Sequence, residues 1–484
     1  MKLKELMQGV GVLRANADMN MEITDVVYDS RKVSPGCLFV AITGFATDGN
    51  LYIPQALQKG AAAVVTARPQ EGDVPYVLVE SDRLALAGIG GNYYGHPAEN
   101  LKLVGVTGTN GKTSVTLLLK HILETVLGAK VGLIGTMGNR IGDETLPTER
   151  TTPESFELQG LLANMRSAGC GYAVMEVSSH AITLERVGGL WFEAAAFTNL
   201  TEDHLDFHGT MEAYGETKAK LFARCGKAAV NMDDPWAERM LKGASCEVLK
   251  TSAMGEADLY AKDVRLLPDG VRFTAVCGEK QAQVALGIPG RFSVYNALTA
   301  LSLAVLLDVP LEQAALALGS AKGVRGRVEV VPTPGMHYTM LIDYAHTPDG
   351  LENVLRSVRD FCEGRVIAVF GCGGDRDPKK RPIMGKIGTE LADWSIITSD
   401  NPRSEEPMAI IADILAGAEG KNYEVIENRP DAIRKAMDIG KKNDIIVLAG
   451  KGHETYQEVC GIKRHMDERE IVAAYLKETR EENG

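Results

Sequence analysis

Short apolar runs alternate with segments whose apolar residues recur at helical spacing along most of the chain. Residues 101–106 (LKLVGV) predict a buried strand, and a glycine turn separates them from a predicted helix. That helix is marked by apolar residues at Val115, Leu118, Leu119, Ile122, Leu123 and Val126. Residues 172–177, 193–199 and 228–231 are further candidates for buried strands. The pattern predicts a central domain of parallel α/β architecture.

A second series of strands and helices begins after Arg327. Its apolar runs lie in YTMLIDYAHTPDG, RVIAVFGCGGDRD, WSIITSDNPRSEEP and DIIVLAGKGHE. Each run leads directly into a loop rich in Gly, Asp, His or Arg, and open α/β sheets bind ligands at the carboxyl ends of their strands. A smaller mixed region precedes a turn-rich linker at residues 92–100. We therefore predict three domains, at residues 1–98, 99–327 and 328–484.

The composition and net charge of the chain argue against several classes of protein. The chain has 484 residues, and its 52 Lys and Arg against 64 Asp and Glu give a net charge of −12. This acidic balance argues against a nucleic-acid partner. The N-terminus lacks the apolar core of a signal peptide and no run of about 18 apolar residues occurs, so we expect a cytoplasmic protein without a membrane partner. Eight scattered cysteines without a CxxC pair argue against a disulfide framework or a thiolate zinc site.

The segment VTGTNGKTS, residues 106–114, lies between the predicted strand and helix and predicts a nucleotide site. Glycines let the backbone approach a phosphate, the helix N-terminus supplies N–H groups, a lysine meets the β and γ charge, and a threonine hydroxyl suits magnesium. The predicted contacts are Gly108, Thr109, Asn110, Gly111, Lys112, Thr113 and Ser114. The strict phosphate-loop pattern is not met, because Val106 replaces its first glycine, and a glycine-rich turn with an incidental lysine is the alternative.

The shortened loop GTNGKT resembles the ATP loop of the Mur ligase and folylpolyglutamate synthetase superfamily. The resemblance covers nearly the whole chain through DSR, TTP, MEVSSHA, FTNLTEDHLDFHG, YGETKAKLF, FSVYNALTA, GVRGRVE, DYAHTPD, GCGGDRD, SDNPRSEEP and AGKGHE, in family order. It implies the three-domain α/β Mur ligase architecture, with a central parallel sheet like that of P-loop ATPases and a Rossmann-like C-terminal domain.

Metal ligands are expected near Lys112, because a carboxylate nucleophile approaches the charges of ATP only when cations neutralise them. Glu176 ends a predicted strand and His204 follows another, so with Thr113 they form the expected magnesium set. A capping or structural role is the alternative for Glu176. For His204 the alternative is one polar loop residue among several, since Asp203, Asp206 and His208 are neighbours that spacing does not exclude.

Read from the residues, Lys218 and Lys220 are ordinary helix lysines. The resemblance implies instead that Lys218 is carbamylated, an anion at the metal site that requires a depressed lysine pKa. Further ATP contacts are expected at Asn296, Arg327 and Asp343. Without the resemblance, Asn296 would be a satisfied polar group of a helix and Arg327 a surface linker residue.

The resemblance also implies a UDP-linked substrate. Its uridine end maps to Tyr28, Ser30, Phe45, Ala46 and Thr47, and its dipeptide end maps to Thr151, Thr152, Ser178 and Arg186. Hydroxyls and an arginine suit an oxygen-rich, carboxylate-bearing ligand, although a threonine pair before proline also begins many helices. Leu184 stands where some relatives hold a polar amide, so a neighbour is expected to make that hydrogen bond or it is absent.

The amino acid is expected to be selected by the last domain. Its DNPR motif, residues 400–403, resembles that of diaminopimelate-adding ligases, and an arginine fork binds the extra carboxylate that distinguishes meso-diaminopimelate from lysine. The expected pocket consists of Arg376, Asp400, Asn401, Pro402, Arg403, Gly450 and Glu454. Glu454 would pair with the distal ammonium. A plain turn in which Arg403 contacts Glu405 or Glu406 is the alternative.

Together these features imply an ATP- and Mg²⁺-dependent ligase that adds meso-diaminopimelate to the D-glutamate of UDP-N-acetylmuramoyl-L-alanyl-D-glutamate through an acyl phosphate. Lys112, Glu176, His204 and Lys218 are the expected catalytic residues, acting by positioning and charge neutralisation. We expect a monomer whose partners are small molecules. The rivals are a lysine-adding ligase, a folylpolyglutamate synthetase and a nucleotide-gated binding protein without ligase turnover.

Overall fold

The computed structural model describes residues 1–44, 47–148 and 150–483. Its contacts divide the chain into two compact units. The first contains Met1–Tyr260 and Leu298–Ala314, and the second contains Ala261–Ala297 and Ala315–Gly484. The predicted Phe45 and Ala46 lie outside the described residues.

The first unit begins with a small mixed sheet. Its elements are α1 (Leu3–Leu6), β1 (Val12–Ala15), β2 (Val26–Val27), β3 (Leu38–Val40), α2 (Ile53–Gln58), β4 (Ala63–Thr66), β5 (Tyr76–Val79) and α3 (Asp82–Tyr93). The strand order is β1-β5-β4-β3-β2, in which only the β1–β5 pairing of the described strands is antiparallel. Strands β3 and β4 are buried throughout, as expected for a sheet covered on both faces.

The larger sheet of the first unit carries the predicted nucleotide loop. Its elements are β6 (Lys102–Thr107), α4 (Lys112–Leu127), β7 (Val131–Ile134), β8 (Asn139–Ile141), β9 (Glu144–Leu146), α5 (Ser155–Ser167), β10 (Tyr172–Glu176), α6 (Ser179–Thr183), β11 (Phe192–Phe197), α7 (Leu205–His208), α8 (Met211–Ala219), β12 (Cys225–Asn231), α9 (Ala237–Met240) and β13 (Glu247–Ser252). They give the order β13-β12-β11-β6-β10-β7-β8-β9. Parallel pairing of β6 with β10 and β11 places their carboxyl ends side by side.

The remaining elements include the second open sheet. They are β14 (Leu259–Leu267), β15 (Gly270–Cys277), β16 (Lys280–Leu286), α10 (Arg291–Leu306), α11 (Leu311–Leu318), β17 (Glu329–Val331), β18 (Thr339–Asp343), α12 (Pro348–Arg359), β19 (Val366–Phe370), α13 (Lys380–Leu391), β20 (Trp394–Ile397), α14 (Pro407–Leu415), β21 (Tyr423–Val425), α15 (Arg429–Ile439), β22 (Ile445–Ala449), β23 (Tyr456–Val459), β24 (Ile462–His465) and α16 (Glu468–Asn483). The order β17-β18-β22-β19-β20-β21 is parallel apart from β17.

Short 3-10 helices cover Ser30–Lys32, Gly49–Tyr52, Pro97–Asn100 and Lys220–Ala223. The predicted helix around Lys218 is α8, which ends at Ala219, so Lys220 begins a tighter turn. Strand β12 begins at Cys225, three residues before the predicted position 228. Within the described part of the chain, none of the helices combines the length and apolarity needed to cross a membrane.

A fully buried ion pair joins α15 to α16. Arg429 and Glu468 both have 0% exposed side chains, and Arg429 Nε donates to Glu468 Oε1 over 2.8 Å. Arg429 Nη2 also donates to the carbonyl of Ala449, at the end of β22. Burial raises the pKa of Glu468 even though the Arg429 charge opposes this change. The pair therefore ties both helices to the strand end that precedes Gly450.

We predict that Glu468→Gln destabilises the protein by about 3–5 kcal/mol, because it leaves the Arg429 charge buried without a counter-ion. The matched control is Glu478→Gln, which removes an exposed carboxylate that pairs with Arg434 across the same two helices. Urea unfolding should show no measurable change for this control. Equal effects of the two substitutions would contradict the prediction.

Candidate functional site

The predicted phosphate loop lies between β6 and α4. Gly108 has φ +144°, and a Cβ there would lie 1.9 Å from Thr198 Oγ1, so the position requires glycine. Lys112 is the first residue of α4, and its ammonium bends back to donate to the carbonyls of Gly108 (2.9 Å) and Thr109 (2.8 Å). The lysine thus closes over the loop, beside the free N–H groups of a helix N-terminus.

Residues after β11 hold this loop, a role that the sequence analysis missed. Asn199 accepts the N–H of Thr109 at its carbonyl and the N–H of Asn110 at its side-chain oxygen. Thr198 Oγ1 donates to the carbonyl of Asn110 over 2.6 Å. Because the N–H groups of Thr109 and Asn110 are already bonded, an anion would be met by the following N–H groups, those of the cap residue Gly111 and of Lys112 and Thr113 in the first turn of α4.

Glu176 lies at the end of β10, next to the loop. Its carboxylate is 1% exposed and accepts hydrogen bonds from Thr113 Oγ1 (3.0 Å) and from the backbone and hydroxyl of Thr136 (2.9 and 3.2 Å). Ser178, not Glu176, caps helix α6, so the capping alternative for Glu176 is wrong. Carboxylate and hydroxyl oxygens are the donors that Mg²⁺ prefers.

Lys218 projects from α8 into the same loop. Its side chain is 1% exposed, its Nζ donates to the carbonyl of Gly108 over 2.9 Å, and it lies 4.5 Å from the centre of the Tyr214 ring. Burial, and then the charge of Lys112, hold the pKa of Lys218 well below its usual range. Burial also lowers the pKa of Lys112. Two ammonium groups therefore share one carbonyl, which favours a neutral amine at Lys218.

His204 is half exposed and precedes α7 in a left-handed conformation, φ 54°. Its Nε2 lies 3.3 Å from the carboxylate of Asp203, and its ring packs edge-on against His180. The rival His208 instead contacts the hydroxyl of Ser179 over 2.9 Å, and burial lowers its pKa to about 4. The sequence analysis did not anticipate this histidine cluster. Over the described residues, no group of three His, Cys, Asp or Glu side chains is arranged to hold a metal ion.

A cavity of about 760 Å³ opens on the first sheet at the predicted uridine end. Tyr28, Ser30 and Thr47 line it, together with Arg150 and Glu157, which the sequence analysis missed. Tyr28 donates to Glu157 Oε1 over 2.6 Å. Burial and this carboxylate raise the pKa of Tyr28, so its hydroxyl stays a hydrogen-bond donor.

The residues predicted for the dipeptide end are linked to Glu176 by hydrogen bonds, directly or through a neighbour. Thr152 Oγ1 donates to the Glu176 carbonyl over 2.8 Å and lies 3.4 Å from Ser178 Oγ. Arg186 donates to the Thr152 carbonyl over 3.1 Å, and Thr151 shares a hydrogen bond with the hydroxyl of Thr136. These contacts join the four predicted residues in one network, which reaches the Glu176 carbonyl through Thr152 and the Glu176 carboxylate through Thr136.

At Leu184, where a polar amide was expected in relatives, the backbone carbonyl accepts a hydrogen bond from Arg83 Nη1 over 3.3 Å. Arg83 also donates to the carbonyl of Thr43 and lies 3.4 Å from Glu154. An arginine therefore stands beside the position of the missing amide. Arg83 and Leu184 are 101 residues apart along the chain, so no local motif indicated this contact.

In the second unit, the loops after β19 and β20 are bonded to each other. Gly374 N donates to the carbonyl of Asn401, and Arg403 Nη1 donates back to the Gly374 carbonyl over 2.7 Å. Asp375 accepts the hydroxyl and backbone N–H of Ser404. This bonding brings the loop that carries Arg376 against the loop that carries the DNPR motif.

Arg403 itself adopts φ 52° and is partly buried. Its Nε lies 3.6 Å from Glu458, so the alternative contact with Glu405 or Glu406 is wrong. Glu405 instead pairs with Arg381 and accepts the N–H of Asp375. Arg376 is exposed and donates to the Asp375 carbonyl.

The loop after β22 is bonded to the loop that carries the DNPR motif. Gly450 has φ +117°, and a Cβ there would lie 2.7 Å from Asp400 Oδ2. Asn401 Nδ2 donates to Glu454 Oε2 over 2.9 Å, which joins the DNPR loop to the GKGHE loop. Pro402 lies between Asn401 and Arg403, and its carbonyl faces Gly374 closely enough to exclude a side chain there.

The expected ATP contacts of the second unit have separate environments. Asn296 is buried within α10. The Arg327 guanidinium lies 5.5 Å from the centre of the Tyr344 ring. Asp343 ends β18 and accepts the N–H of Val328 over 2.8 Å, and burial raises its pKa.

Comparison with known proteins shows the family to which the chain is similar. Family models match at residues 106–304 (Mur ligase middle domain), 326–452 (Mur ligase, glutamate ligase domain) and 22–94 (Mur ligase family, catalytic domain). UDP-N-acetylmuramoyl-L-alanyl-D-glutamate--2,6-diaminopimelate ligases from Caldanaerobacter subterraneus and Clostridium botulinum are 48% and 47% identical. Those alignments cover 99% and 94% of this chain, and 100% and 96% of the relatives. A solved structure of such a ligase has a TM-score of 0.79 at 31% identity, covering 99% of both chains.

We predict that Lys112→Ala lowers ATP turnover by orders of magnitude, because its ammonium is the cation placed over the phosphate loop. The melting temperature should change little, since Lys112 bonds only to backbone carbonyls of its own loop among the described residues. ADP release measures turnover. The control is Lys102→Ala, which removes an exposed lysine at the start of β6. Near-normal turnover in Lys112→Ala would contradict this role.

Proposed function

This chain belongs to the Mur ligase family, and we propose that it joins diaminopimelate to the D-glutamate of UDP-N-acetylmuramoyl-L-alanyl-D-glutamate, with ATP as the energy source. The predicted three-domain α/β architecture is confirmed. The observation that carries the substrate assignment is the pocket of the second unit, where the Arg403 fork and the Glu454 carboxylate offer opposite charges to a zwitterionic amino acid.

We propose that the three predicted domains bind different reactants. Residues 1–98 receive the uridine end in the cavity beside Tyr28, residues 99–327 bind ATP at the loop of Lys112, and residues 328–484 bind the amino acid. The D-glutamyl carboxylate attacks the γ-phosphorus, so that an O–P bond forms and ADP leaves. The amine then attacks the acyl carbon, phosphate leaves and the amine loses a proton. Monomeric state and cytoplasmic location stay predictions.

The oxygens of Thr113 and Glu176 fit Mg²⁺, since Mg²⁺ commonly uses one or two protein ligands together with substrate phosphates and water. A bound Mg²⁺ ion would neutralise part of the phosphate charge. The proposed set of magnesium ligands also includes His204 and a carbamate on Lys218. Burial of Lys218 supports that modification, because only the neutral amine attacks CO₂ to form the N–C bond and release a proton.

We predict that Lys218→Ala has little activity and recovers partly with acetate, which restores an anion at the site. Wild-type protein in ¹³C-bicarbonate should give a carbamate signal by NMR, and Lys218→Ala should lack it. Lys220→Ala is the control, since Lys220 is exposed two residues away. Full wild-type activity after removal of CO₂, with no carbamate signal, would rule the modification out.

The function is tested by ADP release with the UDP-linked dipeptide against a panel of amino acids. We predict that meso-diaminopimelate is used and that L-lysine is roughly 10⁴-fold poorer in kcat/KM, because lysine leaves the arginine donors unpaired. Arg403→Ala should raise the KM for diaminopimelate steeply and leave the KM values for ATP and the UDP-linked dipeptide nearly unchanged. Arg356→Ala, an exposed arginine of α12, is the control.

Comparable kcat/KM values for lysine and diaminopimelate would favour the lysine-adding alternative. Release of ADP that needs neither amine nor dipeptide would favour a nucleotide-gated binding protein. Activity with folate and glutamate would favour the folylpolyglutamate synthetase alternative.

A further inference from the structure

Lys451, which the sequence analysis did not single out, lies directly after Gly450 and has a 0% exposed side chain. Its Nζ donates to Glu454 Oε2 and to Asn401 Oδ1, each over 2.8 Å. Asn401 Nδ2 donates to the same Glu454 oxygen over 2.9 Å. Lys451, Asn401 and Glu454 therefore form a closed triangle of hydrogen bonds, which we call the lysine triangle.

Neighbouring groups hold the lysine triangle in one orientation. Asn401 Oδ1 also accepts the backbone N–H of Glu458 over 2.9 Å, so an amide turned by 180° would lose three hydrogen bonds. The Tyr456 ring lies 5.2 Å from Lys451 Nζ. Behind the triangle, the Arg429 guanidinium fixes the carbonyl of Ala449, two residues before Lys451. The ammonium therefore has a fixed position and no path to solvent.

The lysine triangle leaves one Glu454 oxygen available. Both of its hydrogen bonds to this carboxylate end at Oε2, and among the described residues no hydrogen bond ends at Oε1. Because Lys451 has no exposed surface, its own ammonium does not reach a ligand in the pocket. A cation bound in the pocket would meet Glu454 Oε1 instead.

Electrostatics agree with this arrangement. Burial raises the pKa of Glu454, but the hydrogen bond and charge of Lys451 outweigh burial and hold the pKa below its usual value. The other groups that face Glu454 are His453 in the same loop, Tyr344 after β18 and Asn401 after β20. Burial lowers the pKa of His453, so this neighbour is neutral near pH 7 and does not replace the Lys451 charge.

We propose that Lys451 is a positioning residue for the amino-acid substrate, which keeps Glu454 charged and turned so that Oε1 accepts the distal ammonium of diaminopimelate. The inference rests on the proposed function. Lys451 acts through Glu454 and Asn401 and does not touch the substrate. It thereby differs from Arg403, which we expect to bind the distal carboxylate directly.

The first test is a steady-state comparison of wild-type protein with Lys451→Met and Lys451→Gln. We expect Lys451→Met to raise the KM for diaminopimelate by about 10- to 100-fold, the range expected when a shielded charge-assisted contact is lost. The KM values for ATP and the UDP-linked dipeptide should stay within about twofold, since neither ligand contacts Glu454 in the proposal. Lys451→Gln retains a donor without the charge and should give an intermediate KM.

The matched control is Lys463→Met. Lys463 lies 4.3 Å from the centre of the same Tyr456 ring but is exposed on β24. Among the described residues it makes no hydrogen bond to Asn401 or Glu454. The same substitution at Lys463 should leave the KM for diaminopimelate unchanged.

The second test is the pH dependence of kcat/KM for diaminopimelate. In wild-type protein Glu454 ionises below its usual range, so the acid-side fall in kcat/KM occurs at low pH. Without Lys451 the pKa of Glu454 rises, and the fall should move upward by about one pH unit or more. Adding Glu454→Gln to Lys451→Met should abolish this displacement, because no carboxylate is then left to titrate.

Each outcome decides between the alternatives. An unchanged KM and pH profile in Lys451→Met would overturn the positioning role. The same holds if the acid-side fall in kcat/KM is still displaced in the Lys451→Met, Glu454→Gln double variant, because His453 would then be the source of the displacement. A parallel loss of ATP, dipeptide and diaminopimelate binding, or a melting temperature below that of the assay for both Lys451 variants, would assign Lys451 a purely structural role and also overturn the proposal. Failure of wild-type protein to release ADP with diaminopimelate would refute the proposed function instead.

Discussion

Burial of positive charge is the constraint on which both functional regions depend. An ammonium or guanidinium group removed from water needs acceptors, and this chain buries such groups at Lys218, Lys451 and Arg429. Lys451 and Arg429 each have a carboxylate within 2.8 Å. Among the described residues Lys218 has no carboxylate partner and donates to a backbone carbonyl that Lys112 also bonds, so burial favours its neutral amine. The charge left at the nucleotide loop is that of Lys112, which suits a polyanion, whereas the buried charges of Lys451 and Arg429 are each balanced by a carboxylate.

The parallel sheets bring loops from distant parts of the sequence together to form sites. Each polar loop follows a buried strand, and parallel pairing aligns the strand ends, so residues far apart in sequence become neighbours. Glu176 follows Lys112 by more than sixty positions, yet its carboxylate accepts from the adjacent Thr113. In the second unit the same principle bonds the loop of Gly374 to that of Arg403 and bonds Asn401 to Glu454.

The sequence was most informative where function imposes a local pattern. The phosphate loop and the strand before it were predictable because a glycine turn with a lysine lies between an apolar run and a helical pattern, whereas the DNPR loop was recognised through the family resemblance. The residues that hold these loops in place were not predictable from the sequence. Asn199, Arg83 and Lys451 act through tertiary hydrogen bonds, and their residue types are common in ordinary loops and helices. The β-ribbon of β15 and β16 was also missed, because its alternation of apolar and polar residues contains no motif with a recognisable chemical role.

Gly450 has a bearing on inhibitor design. Its backbone conformation strains any residue with a Cβ, and the space that such an atom would need already contains the carboxylate of Asp400. A mutation at this position would therefore disturb the pocket proposed for the amino acid. A compound whose main contact is the backbone of Gly450 would leave the enzyme few routes to resistance, because changes that exclude the compound would also disturb the proposed pocket.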